Sequence, residues 1–370
     1  MAEMTKEERV LSALSLQEPD RVPLYDLVSS IQMIEHFASE ALTLENAEQV
    51  IPLAMSHSLD TTRIFMPGEL SQRTDSQGFT YERRDWFNEW TTGYPFHDLP
   101  GLAAFVHQEI ERLEAWKPGD MQKELAELRR WKTRYAGTVI PASWAGEALQ
   151  DCYIQVGLDW FIWLEAEQPE LVERWVQARH NQLLRRIQAE QIFKEISPLT
   201  WIFGDVAYKQ RLIFSPAYLR QHGFFQRIAE ICDIYHSNSL KVIFHSDGDI
   251  QLIIPDLIAA GADAIAPIDV LAGMDLRRLK EQYGKKIAMV GGIDVENVLR
   301  QGDVATVRQA VVEALQAAGP GGGLILGSSS EELFEDLPLE NILALIETTW
   351  ECGIYPIGSH FPGKHRVFTP

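Results

Sequence analysis

The chain of 370 residues carries 33 Lys and Arg against 53 Asp and Glu, a formal charge of −20 at neutral pH. A hydrophobic share of 46% with 23% charged residues is that of a globular protein and argues against disorder. The acidic balance, without a basic cluster, disfavours nucleic acid and anionic lipid as partners, because both need a Lys/Arg surface.

Three cysteines, Cys152, Cys232 and Cys352, lie far apart and form no C-x-x-C pair. They make neither a disulfide framework nor a thiolate zinc cluster, and they fit a reducing cytosol. The N-terminal MAEMTKEERV is polar and lacks the apolar core of a secretion signal. The longest apolar stretch, near 251–267, is interrupted by Asp256 and Asp263, so no membrane span is expected. A cytoplasmic location is the default expectation.

Eight short apolar or β-branched runs follow one another along the chain. They are Arg21–Asp26, Thr61–Pro67, Gly137–Ser143, Thr200–Asp205, Lys241–Ser246, Ala264–Asp269, Ile287–Gly292 and Gly323–Ser328. Helical patterns separate most of them: Pro169–Ile192, Pro216–Ser237, Val304–Ala318 and Leu339–Cys352 carry apolar residues at helical spacing. Strand–helix alternation repeated about eight times predicts a parallel sheet, and the count matches a (β/α)8 TIM barrel. A doubly wound open sheet is the alternative. The surplus length sits between the second and third strands, Gly68–Ala136, where SQGFTYERRDWFNEW reads as a hairpin and the following residues as helices. We read a single domain with this insertion. GPGGG at Gly319–Gly323 precedes the last strand and lacks the G-K-[ST] ending of a phosphate loop, so it reads as a tight turn on the stability face.

In such barrels the chemistry sits at the C-terminal strand ends. The polar residues there are Tyr25, Asp26, Glu147, Asp205, His245, Asp247, Asp269, Asp294, and Ser328–Ser330 with Glu331. Carboxylates and an imidazole converging on one mouth suit a divalent metal or general acid–base work. Asp249 and Asp294 precede helical segments and read equally as N-caps; Asp26 and Asp269 read equally as turn formers. His245 and Asp247 stand two apart at a strand end, so both side chains can reach one point. Aromatic residues flank these ends. Trp160 and Trp163 read as helix core, Trp86, Trp90 and Tyr94 as a lid, and Trp144 with Tyr208 as walls for a flat apolar substrate.

Four segments carry a family resemblance. MTKEERVLSALSLQEPDRVPLYD, HSDGDIQLIIPDLIAAGADAIAPID, YGKKIAMVGGIDVENVL, and GPGGGLILGSSS followed by DLPLENILALIE together resemble the uroporphyrinogen decarboxylase superfamily. The similarity covers nearly the whole chain, is strongest after Asp205, and looks like the corrinoid-linked methyltransferase branch. It implies a (β/α)8 barrel. True decarboxylases bear an Arg near the N-terminus to hold an acidic tetrapyrrole; here RVPLYDLVSSIQMIEHF has no Lys or Arg between Arg21 and Arg63. The methyltransferase branch usually holds zinc through His-x-Cys after strand five and a second Cys after strand eight. This chain keeps His245 but has Asp247 and Ser328–Ser330 at those places, so a thiolate site becomes at best a hard N/O site.

The resemblance therefore implies a methyltransferase that moves a methyl group between a small methylated, for example methoxylated, compound and a corrinoid protein. His245, Asp247, Asp205 and Glu147 would form the catalytic centre. Tyr25, Trp144, Tyr208, Asp294, Ser330 and Glu331 would bind substrate. Zinc or another divalent metal on His245 and Asp247, a corrinoid carried by the partner, and a homodimer complete the expectation. A decarboxylase-like lyase acting on a small acid and a non-catalytic subunit of a methyl-transfer complex are the alternatives.

Overall fold

The computed structural model describes residues 3–358. Barrel strands four to eight are Leu199–Phe203, Lys241–His245, Ala264–Ile268, Ala288–Gly291 and Leu324–Ile325, and they pair in parallel with the end of strand three, Trp144–Gly146. Parallel bridges Leu24–Leu326, Tyr25–Thr61 and Thr61–Val139 carry the pairing through strands one and two and close the ring. The expected barrel is present, and the open sheet is not.

Register explains why the barrel fills. Trp201, Ile243, Ala264 and Ala288 stand at one level, and Phe203, His245 and Ala266 two residues higher, because alternate residues of a strand share a face. Tyr25, Val139, Trp201, Val290 and Ile325 complete this interior with α1 (Lys6–Leu14), whose Val10, Ala13 and Leu14 plug the N-terminal end. The alanines of strands six and seven admit the bulk of Tyr25 and Trp201, whose rings lie 4.9 Å apart. Strand five therefore points Ile243 into the packed interior and His245 into the mouth.

The remaining helices wrap the outside. α2 (Ile31–Ala38) and α3 (Ala47–Ser58) follow strand one. The insertion then forms a three-stranded antiparallel sheet, Ser71–Thr74, Thr80–Arg83 and Glu89–Gly93, one strand more than the expected hairpin. α4 (Leu99–Ala115) and α5 (Met121–Arg134) end it. α6 (Ala148–Val156), α7 (Leu158–Glu167) and α8 (Pro169–Ala189) follow strand three. The expected helix Pro216–Ser237 divides into α9 (Pro216–Gln221) and α10 (Phe224–Ser237) because Gly223 adopts a left-handed φ of 71°. α11 (Ile254–Ala259), α12 (Leu276–Tyr283), α13 (Val304–Ala318) and α14 (Leu339–Cys352) complete the ring, the last two with the bounds expected from periodicity.

Two strand expectations are corrected. Strand two pairs only around Thr61; the following residues leave the sheet and lead into the insertion. Strand three extends past Ser143 to Gly146, so Trp144 is on a strand rather than after one. The GPGGG turn does lie on the closed end: a Cβ on Gly322, at φ +75°, would come 2.2 Å from the Gln17 carbonyl oxygen behind α1.

No described helix is long and apolar enough to cross a membrane. All three cysteines are buried and unpaired.

Candidate active site at the barrel mouth

Strand five ends at His245, whose side chain is 10% exposed. Its Nδ1 lies 2.9 Å from Glu331 Oε2, while Nε2 lies 3.5 Å from Asp205 Oδ1 and 4.0 Å from Asp247 Oδ1. The ring is thus wedged between a buried carboxylate behind and two carboxylates toward solvent. The Phe203 ring, 5.1 Å away, packs against it from strand four.

Glu331 follows the strand-eight serines in a left-handed backbone conformation, φ 58°. A non-glycine residue adopts that conformation only where its surroundings enforce it. Here the Leu27 N–H donates to the Glu331 carbonyl at 2.8 Å, and Glu332–Leu333 then pairs with Leu27–Val28. The turn thereby aims the Glu331 carboxylate inward, where Arg63 Nη2 at 3.2 Å and Tyr25 Oη at 3.3 Å donate to the same oxygen that faces His245. Arg63 Nε in turn donates to Tyr25 Oη at 2.9 Å, and its guanidinium lies 4.8 Å from the centre of the Phe203 ring.

The charges follow from this packing. Burial alone would lower the His245 pKa, but Glu331, with help from Asp205 and Asp247, lifts it to about 9. Burial pushes Glu331 up, yet the His245 and Arg63 charges win and hold it below the usual carboxylate range. Desolvation at the mouth, reinforced by Asp205 and Glu331, raises Asp247 to about 6 against the pull of His245. Asp26, fully enclosed, is pushed to about 8 by burial, although the Ser328 hydroxyl and N–H both donate to it.

Asp205 is fixed through its backbone: its N–H donates to Gln150 Oε1, and its Oδ1 accepts the Asp247 N–H at 2.9 Å. One ligand atom each from Asp205, His245 and Asp247 fits within 4.8 Å, the spacing a cation would need. These are oxygen and imidazole donors, which suit a hard divalent ion better than a thiophilic one.

Several expected site residues lie elsewhere. Glu147, expected in the catalytic centre, is fully buried and turned outward: it caps α6 by accepting the Leu149 N–H at 2.8 Å and pairs with Arg227 Nε at 2.6 Å. Asp294 is an N-cap, accepting the Glu296 and Asn297 N–H groups at 2.9 and 2.8 Å. Tyr25 is 1% exposed and supports Glu331 from beneath instead of meeting substrate. Glu331 likewise touches His245 from the interior. The Ser328 hydroxyl is spent on Asp26; Ser330, whose hydroxyl donates to the Glu332 carbonyl, does border a cavity at the mouth. Trp163, expected in the core, is 54% exposed.

Two cavities flank the centre. One, about 700 Å³, is bordered by Asp247, Asp269, Ser329, Ser330 and the hairpin Tyr208–Arg211. The hairpin is seated on Gly248, where a Cβ would fall 2.8 Å from the Lys209 carbonyl oxygen. The other, about 870 Å³, opens on the opposite side of Phe203 and Arg63 and is roofed by α5 and walled by Trp144. Trp86, Trp90 and Tyr94, expected as a lid, border neither. Arg63 is the residue sequence reasoning passed over. It lies within the expected second strand run, two residues past Thr61 where the pairing actually stops, so collecting cations at the expected strand ends would not have found it.

The uroporphyrinogen decarboxylase (URO-D) family model matches residues 221–351, the stretch holding strands five to eight and the His245 and Glu331 loops. Among solved structures, a methyltransferase from Methanosarcina mazei superposes with a TM-score of 0.66 at 18% identity, covering 94% of this chain and 99% of that one. No curated protein matches the chain by sequence. The family model thus supports a uroporphyrinogen decarboxylase-like C-terminal stretch, and the shared fold is a TIM barrel.

Proposed function

We propose that this uroporphyrinogen decarboxylase-like barrel is a methyltransferase that moves a methyl group between a small methylated compound, such as a methoxylated one, and a corrinoid protein or other carrier. The observation that carries the reading is the His245 imidazole, held at the mouth between Glu331 and the Asp205–Asp247 pair, beside two cavities. Its likeness to a solved methyltransferase of the same fold supports the choice of reaction.

Breaking a methyl–oxygen bond leaves the electron pair on oxygen, so the transition state needs a positive group there. Among the protein's own groups that role falls to the His245 imidazolium: Nε2–H faces the carboxylate side of the mouth and would pass its proton to the departing oxygen. The methyl carbon meanwhile bonds to the reduced carrier, which supplies the electron pair. Glu331 sits 2.9 Å from Nδ1 as the ring's charge partner, and Arg63 with Tyr25 fixes Glu331. Asp205, His245 and Asp247 would hold a divalent cation if one is bound, and that ion would polarise the same oxygen as a Lewis acid. With Glu147 occupied by Arg227, the centre is His245, Asp205, Asp247 and Glu331.

The test mixes the protein with a reduced corrinoid protein and a panel of methoxylated, aminated and thioether donors, with and without chelator. His245→Ala and Asp247→Ala are run beside it. Loss of general acid catalysis predicts a fall of about 100-fold or more in His245→Ala. Wild-type rates in both variants would sink the reading. Release of CO2 from an added acid, with no methyl transfer, would favour a lyase instead.

A further inference from the structure

We propose that the chamber beneath α5 is a binding site for an uncharged, flat aromatic molecule carrying oxygen acceptors. Its use as the methyl-donor site rests on the methyl-transfer reading above; the binding itself does not.

The chamber of about 870 Å³ falls in the size range of small-molecule sites. Its roof is unusual for a surface helix. α5 buries only Leu125, while Leu128 and Trp131, at three-residue spacing on the same face, remain partly exposed because the chamber lies beneath them. Across from them stand Phe203 and Trp144, the latter 59% exposed. Apolar helix surface left over a void of this size is costly unless a ligand covers it.

Charge selects the ligand class. Two guanidiniums line the chamber, but Arg63 is already matched by Glu331 at 3.2 Å and Arg186 by Glu190 at 3.4 Å. On α5, Glu127 is matched by Arg130 at 2.6 Å, and Glu124 adds one further carboxylate at the exposed rim. No cation is left over for a carboxylate ligand, and the rim repels one. An ammonium finds no free ring face at Phe203 or Trp144, because a guanidinium already lies over each of them. Yet Nη1 of Arg63 and of Arg186 makes no hydrogen bond among the described residues, so each can donate to a neutral oxygen. Each guanidinium also lies over a ring, Arg63 4.8 Å from Phe203 and Arg186 5.1 Å from Trp144, a stack that a third flat ring would extend. A ligand so held would lie beside Phe203, whose ring centre is 5.1 Å from that of His245.

Calorimetric titration with 2-naphthol, 2-naphthoate and (2-naphthyl)trimethylammonium tests this. 2-Naphthol should bind saturably and about tenfold tighter than either charged analogue. Leu128→Trp, which pushes bulk from the roof into the chamber, and Phe203→Ala, which removes a ring face, should each weaken it about tenfold, with far-UV circular dichroism unchanged. Asp247→Ala should leave it intact. Absence of saturable 2-naphthol binding, equal binding of the charged analogues, or full affinity in both chamber variants would overturn the assignment. No corrinoid is present in the titration, so its failure is separable from failure of methyl transfer.

Discussion

Replacing Asp60 with alanine should unfold the barrel more readily without touching its mouth. Asp60 opens the second strand and is fully buried. Its carboxylate accepts Arg9 Nη1 at 2.7 Å, Arg21 Nη1 at 2.8 Å and Nη2 at 2.9 Å, and the Leu24 N–H at 2.9 Å. It therefore ties α1 and the first strand to the second at the closed end. Removing one partner of a buried ion pair costs about 3–5 kcal/mol. Two features moderate that figure: Arg9 keeps Asp20, at 2.7 Å on two nitrogens, and Arg21, 20% exposed, can turn to water. The orphaned Leu24 N–H adds about 1–3 kcal/mol back. A loss of about 4 kcal/mol is expected, read as a lowered urea midpoint with unchanged slope and a melting temperature down on the order of 5 °C or more. The double variant with Arg9→Met should lose less than the sum of the singles. An alanine variant within about 1 kcal/mol of wild type would refute the account. A variant that loses methyl transfer while remaining folded would refute the separation of the two barrel ends.

Asp26→Asn should change how stability depends on pH. Burial raises the folded pKa of Asp26 from 3.8 to about 8, so between those values the folded state holds a proton that the unfolded chain has released. Its contribution to stability is therefore largest near pH 4 and is lost as the pH rises toward 8. Relative to the Asp26→Asn variant, the wild type should lose on the order of 2–4 kcal/mol between pH 5 and pH 8 in urea titrations; a pH-independent difference would contradict it. Glu147→Gln tests the reassignment of that residue. With Arg227 left buried and unpaired, stability should fall by about 3–5 kcal/mol while kcat for methyl transfer stays within about threefold. Full stability with a hundredfold loss of rate would restore Glu147 to the catalytic centre.

Sequence by itself determined the barrel and the first half of its site. Strand–helix alternation reports apolar periodicity, a local property, and α13 and α14 follow it to the residue. His245 and Asp247 were legible for the same reason, since a strand end places residues two apart at one point. The partners of His245 were another matter. Glu331 reaches the imidazole through a left-handed turn and strand one–strand eight pairing, across 86 positions of sequence. Arg63 reaches Glu331 from strand two, and the chamber beside it exists only because the insertion folds back as α5. Glu147 shows the converse: in sequence it is one more strand-end carboxylate, and only packing against Arg227 turns it away. A carboxylate in the chain announces its charge but not its counter-ion, because the counter-ion is chosen by strand order and helix packing. The charge of −20 bears on which partners the protein can meet; the fold decides which of those carboxylates face the chemistry and which are consumed by the scaffold.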